Sequence, residues 1–222
     1  MATSASALCS PLPASLFPLP ALSLVNYATR EITCKIVYYG PGRSGKTTNL
    51  HYIYGQVPEE RKGKMVSLAT QTDRTLFFDF LPLDLGTISG FTTKFQLYTV
   101  PGQIYYQTTR KLVLQGADGV VFVADSQARQ IDENIESFQD LHANLAEHAV
   151  DARTIPLVIQ YNKQDLPREL IMGAEDLSDA INFRGVPEFP ADALHGPGVF
   201  ETLRGISELV LKRLSAGAGV AR

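Results

Sequence analysis

Charge is missing from the start of this 222-residue chain: its 20 basic and 23 acidic residues all lie at or beyond Arg30. The uncharged stretch 1–29 has no basic n-region, and Pro11, Pro13, Pro18 and Pro20 break its apolar residues. Neither a signal peptide nor a membrane span is expected there. The stretch reads first as a disordered tail or as a start assigned upstream of the true one, with a targeting role or a docking segment as the other readings. Cysteine is equally scarce. With only Cys9 and Cys34, a disulfide framework is excluded, and the four histidines are not spaced as zinc-finger ligands. Such usage fits a reducing cytoplasm. There is no excess of basic charge either, since the net charge is −3. That rules out a broad field for nucleic acid or anionic lipid, and no basic stripe interleaved with aromatics points to nucleic acid. The end of the chain, Ala218 to Arg222, has no prenylation cysteine, and Met1-Ala2 lacks the glycine that myristoylation needs. Any recruitment to one place in the cell, a pole for example, would then go through protein partners.

What is present is a regular alternation of apolar, β-branched runs with helix-period stretches. Strands are expected at 32–39, 76–80, 95–100, 120–124, 155–160 and near Phe189, and helices at 46–54, 106–114, 131–148, 170–183 and 198–214. Near-continuous apolar runs such as Val120 to Ala124 are those of strands covered on both faces. The expectation is therefore an α/β domain over 30–215, with a mostly parallel six-stranded sheet, helices on both faces and a flexible end at 216–222.

One motif carries chemistry directly. Gly40-Pro41-Gly42-Arg43-Ser44-Gly45-Lys46-Thr47 matches G-x-x-x-x-G-K-[ST] and lies between a strand and a helix, where such a loop works. Its glycines let successive N–H groups turn toward an anion, and the helix N-terminus adds partial positive charge. Lys46 would reach the β- and γ-phosphates, the Thr47 hydroxyl would ligate Mg²⁺, and Thr48 continues the nucleotide-binding run. A second motif, Asn162-Lys163-Gln164-Asp165, follows the strand at 155–160, at the end of a sheet strand where ligands bind. The Asp165 carboxylate can accept from N1–H and the exocyclic amine of guanine, whereas adenine presents the opposite polarity. Lys163 would pack across the base, Asn162 would hold this loop to the phosphate loop, and the Ala193 amide would donate to guanine O6.

The ordered motifs resemble the Ras-like small GTPases over roughly 31–215. The phrases IVYYGPGRSGKTTNL, RTLFFDFLPLDLG, LYTVPGQ and VVFVADS are similar to their bacterial gliding-motility branch, the MglA-type GTPases. The resemblance implies a P-loop G domain that binds GTP and GDP with Mg²⁺ and hydrolyses GTP slowly. It also implies a roadblock-fold activating partner of the MglB kind, further effectors, and a role in cell polarity and motility. By the same resemblance Gln103, after Gly102, orients the attacking water; Thr75 closes on Mg²⁺ and the γ-phosphate; Arg74 serves as a built-in arginine finger. Where small GTPases usually carry D-x-x-G, this chain has Thr99-Val100-Pro101-Gly102, as the MglA branch does. That leaves Mg²⁺ with one fewer nearby negative charge and implies weaker outer-shell binding. Two other readings stay open: a GTP-gated recruiting module with negligible hydrolysis, favoured by Thr99, and a P-loop ATPase or nucleotide kinase, which Asp165 opposes.

Overall fold

A computed structural model describes residues 24–70, 74–88, 90–102, 106–148 and 150–218. Eight strands form one sheet: β1 (Leu24–Asn26), β2 (Glu31–Tyr39), β3 (Val66–Thr70), β4 (Arg74–Ile88), β5 (Phe91–Thr99), β6 (Gly119–Asp125), β7 (Leu157–Asn162) and β8 (Glu188–Pro190). The helices are α1 (Lys46–Gln56), α2 (Gln107–Leu114), α3 (Ile131–Glu147), α4 (Ala174–Ile181) and α5 (Val199–Ala218). The strand order is β3-β4-β5-β2-β6-β7-β8, with β1 against the start of β2. Strands β5, β2, β6, β7 and β8 run parallel, whereas β3, β4 and β1 pair antiparallel.

Period-2 alternation divides the core. On β2, Val37 and Tyr39 face one layer with Phe138 and Leu141 of α3 and Leu177 of α4. Ile36 and Tyr38 face the other, with Leu50 and Ile53 of α1 and Val199, Leu203 and Ile206 of α5. Every residue of β6 and β7 is buried, as expected of strands covered on both sides. Among the described residues, no helix is long and apolar enough to cross a membrane.

The sheet has two strands more than the sequence reading expects. Leu24–Asn26 falls inside the stretch read as a tail and pairs with Glu31–Thr33. The other addition, Val66–Thr70, is a short mixed segment after a charged loop, and its partner β4 makes it a strand. Strand β4 also runs well past Phe80, through Pro82. That proline is tolerated because β3 pairs β4 only as far as Phe80, so the missing N–H breaks no β3 ladder bond. Helix α4 is shorter than 170–183 because Gly173 is extended, with ψ 153, ahead of it.

Candidate functional site

The phosphate loop leaves the C-terminal end of β2. Gly40 and Gly45 have φ of 142° and 100°, a region that penalises a Cβ. Space excludes one as well: a Cβ on Gly40 would lie 2.2 Å from the Val123 carbonyl oxygen, and one on Gly45 2.1 Å from Asn162 Nδ2. Arg43 is exposed and also has positive φ, 62°, while Ser44 is buried. Helix α1 begins at Lys46 with no acidic residue in its first turn, leaving its N-terminal dipole to an anion. Thr47 and Thr48 continue that turn.

Lys46 is buried and donates from Nζ to the carbonyls of Gly40 (2.9 Å) and Pro41 (2.6 Å). Desolvation, with the Arg110 charge adding to it and Asp79 opposing, pulls its ammonium down to a pKa of about 7. Phosphate oxygens there would favour the charged form again. Arg110 on α2 pairs with Asp140 of α3 at 2.6 Å, and that carboxylate also accepts from Tyr39, the residue before the loop. Helix α2 is thereby tied behind the phosphate loop.

Asp79, on β4, is the residue the sequence reading misses. It is fully buried; its Oδ2 accepts from the hydroxyls of Thr47 (2.6 Å) and Thr99 (2.9 Å), and its Oδ1 from Ser67. Its own N–H donates to Thr99 Oγ1 at 2.9 Å. Thr99 lacks the carboxylate usual at its place in small GTPases, and Asp79 sets one beside Thr99 and Thr47 across the β4–β5 ladder. One signal was legible, an acidic residue alone in the apolar run Leu76-Phe77-Phe78-Asp79-Phe80-Leu81. Hydroxyl and carboxylate oxygens beside a phosphate loop are the hard donors that suit Mg²⁺.

The base-reading motif lies where expected. Asn162 ends β7, and its Nδ2 donates to the Ser44 carbonyl at 2.7 Å, fastening the motif to the phosphate loop. Lys163, at φ 73°, is held by an ion pair to the buried Asp125 at 2.5 Å. Asp165 is exposed in the following turn. Ala193, expected at guanine O6, has its amide engaged in the protein. Its N–H donates to Asn162 Oδ1 at 2.9 Å, so in this arrangement it braces the loop rather than pointing free toward a base oxygen. Leu194 and His195 N–H both turn back to Asp192 Oδ1.

Four further positions complete the set. Gly102 packs on the phosphate loop so closely that a Cβ would lie 2.4 Å from Gly42 Cα. Arg74 and Thr75 open β4, with backbones paired to Thr70 and Ala69, so Thr75 is a strand residue here rather than a loop residue ahead of one. A register shift follows, and it is Asp79, beyond that shift, that holds the Thr47 hydroxyl. Gln103 lies outside the described residues.

Comparison with known proteins points one way. A sequence model described as the ADP-ribosylation factor family matches residues 22–208. The "Mutual gliding-motility protein MglA" of Myxococcus xanthus is 57% identical over 196 residues, covering 88% of this chain and 100% of that protein. "ADP-ribosylation factor-like protein 6" of Caenorhabditis elegans is 31% identical over 163 residues, 72% of this chain and 73% of that one. The human "ADP-ribosylation factor-like protein 4C" is 28% identical over 182 residues, 80% of this chain and 87% of that one.

Proposed function

Because the chain belongs to the ADP-ribosylation factor family of small GTPases, we propose that it is a Mg²⁺-dependent GTP-hydrolysing switch that controls cell polarity and motility. The carrying observation is the joining of phosphate loop and base-reading loop by the Asn162 to Ser44 hydrogen bond, which supports reading them as the two ends of one nucleotide site. The motility role rests on the name of the relative from Myxococcus xanthus, of which this chain covers the whole length.

In this reading the backbone of 40–47, including Gly40, Gly42, Arg43, Ser44 and Gly45, surrounds the diphosphate, and Lys46 exchanges its two carbonyl partners for phosphate oxygens. Thr47 and Asp79 would hold Mg²⁺, which when bound would neutralise phosphate charge. Asp165 reads guanine N1–H and the exocyclic amine, Lys163 covers the base, and Asn162 with Ala193 keeps the two loops together. Gln103 orients water, while Arg74 and Thr75 come to the γ-phosphate only once the start of β4 is arranged around it. Ordering that segment is what a partner of the roadblock fold supplies, so hydrolysis is slow alone and fast in the complex. Effectors read the same segments, and the protein is cytoplasmic, reaching a cell pole through partners.

Turnover of bound GTP, measured with and without such a partner, tests this proposal. Slow conversion to GDP that the partner speeds is expected; no conversion in either state would leave only a recruiting module.

Two variants probe the chemistry. Asp79→Asn keeps the size of the side chain and removes its charge, so Mg²⁺ binding to the GDP complex should weaken about tenfold or more, read by metal titration. An unchanged titration would remove Asp79 from the metal site. A Cβ at Gly42 meets nothing closer than the Gly102 oxygen at 3.7 Å, so Gly42→Val should fold and keep GDP. Its methyl groups would crowd the γ-phosphate and displace Gln103 or Arg74, slowing hydrolysis about 10- to 100-fold. Wild-type turnover in this variant would contradict the placement.

A further inference from the structure

Behind the nucleotide site lies a polar network that the mechanism above does not use. Asn49 of α1, Gln160 of β7 and Thr202 of α5 are all fully buried, in the layer that holds Leu50, Val123, Val158 and Val199. Two amides face each other: Asn49 Nδ2 donates to Gln160 Oε1 at 2.8 Å, and Gln160 Nε2 returns a bond to Asn49 Oδ1 at 3.0 Å. Gln160 Nε2 also donates to Thr202 Oγ1 at 2.9 Å, and that hydroxyl donates to the Gly198 carbonyl at 2.6 Å. The second Asn49 N–H reaches the Gly45 carbonyl at 3.0 Å. Each polar hydrogen of the three side chains has an acceptor, so the network is closed.

Its two ends are what give it meaning. Gly45 belongs to the phosphate loop, and Gly198 closes the segment that carries Asp192, Ala193 and His195 past the base-reading motif. Two residues further along β7, on the same face of the strand, Asn162 makes a second crossing, to the Ser44 carbonyl and from the Ala193 amide. β7 thus ties the phosphate loop to the 191–198 segment twice, once at the surface of the site and once beneath it. Apolar side chains of similar size would fill this space without needing matched partners, whereas a closed polar network accepts only one geometry.

We propose that Gln160, with Asn49 and Thr202, is a positioning residue that fixes the spacing between the phosphate loop and the base-reading loop. This rests on the guanine-nucleotide reading of the site. A ligand that grips both loops at once gains from their fixed separation, because the second contact is made without a further loss of freedom. A ligand that grips one loop gains nothing from it.

The test compares ligands on variants of the full chain, by competition against a fluorescent GDP. Asn49→Leu/Gln160→Met replaces the amide pair with apolar groups of similar size and leaves no unmatched amide at either position. It should melt within a few degrees of the parent, yet bind GDP about tenfold or more weakly, while guanosine and pyrophosphate, each touching one loop, compete as they do with the parent. GDP affinity within about twofold of the parent would overturn the proposal, as would equal losses for all three ligands. Thr202→Val cuts only the α5 end and guards against a double variant that fails to fold. It should show the same split in smaller measure, about threefold, and an unchanged GDP affinity there would also overturn the proposal. A parent chain that binds pyrophosphate but shows no preference for guanosine over adenosine would instead overturn the guanine reading beneath it.

Discussion

Arg74→Ala is expected to lower partner-stimulated GTP hydrolysis about 10³- to 10⁵-fold, the range an arginine supplies when it reaches a phosphoryl-transfer transition state. GDP and GTP affinity should stay within about twofold of wild type, because the proposal assigns the ground state to the phosphate loop, Lys46 and the base-reading motif. In the proposed reading, the placement of Arg74 accounts for a dependence on a partner. It opens β4, paired to Thr70 of β3, and among the described residues β3 is joined to the sheet through β4 alone, as its edge. A short edge strand held by one neighbour rearranges at lower cost than a central one. In the proposed reading Arg74, at the end of β4 that is paired to this edge strand, reaches the γ-phosphate only once something arranges that end. Single-turnover phosphate release with saturating partner measures the effect, and a variant that keeps the full stimulated rate would transfer the role to the partner's own side chains.

The second large effect is on the base. Asp165→Asn is expected to lower GDP affinity about 10²- to 10⁴-fold and to raise preference for xanthine nucleotides over guanine ones. A site built to pair specific donors rejects a ligand that leaves its groups unpaired. In the proposed site the carboxylate would accept from two guanine donors; an amide would turn one of those contacts into donor against donor, while xanthine presents a carbonyl where guanine has its amine. The surrounding braces keep the change local. Lys163 is paired to Asp125, Asn162 is bonded to Ser44 and Ala193, and Asp165 itself is exposed. Displacement of labelled GDP by GDP, XDP and ADP reads both terms. Unaltered preference would place base recognition elsewhere, with the Asp192 to His195 turn next in line.

The parts of the site that lie within one stretch of chain could be read from the chain. Gly40 to Thr47 is a contiguous loop whose glycines, lysine and threonine have spacing set by the phosphates they serve. Asn162 to Asp165 is likewise one turn at one strand end, and the helices flanking both motifs announce themselves by apolar period. Asp79 could not be placed the same way, since its meaning depends on the β4–β5 register that sets Phe80 opposite Tyr98 and so brings Asp79 to Thr99. Gln160 looks like one polar residue in an apolar strand until α1 and α5 close over it. The short strands β1 and β3 were hidden for a related reason: neither carries a pattern of its own, and each is a strand only because a neighbour offers a free edge. Ala193 shows the limit from the other side. Its position in the loop was legible, but not that its amide is taken up by Asn162.

The measurement closest to the central claim loads the nucleotide-stripped chain with equal amounts of GTP and ATP in Mg²⁺, removes free nucleotide, and follows the bound fraction by chromatography of the denatured protein. The account predicts that GTP is retained over ATP and turns slowly into GDP that stays bound, faster when a roadblock-fold partner is added. Retention of ATP at a similar level, or bound GTP that never converts in either condition, would contradict it.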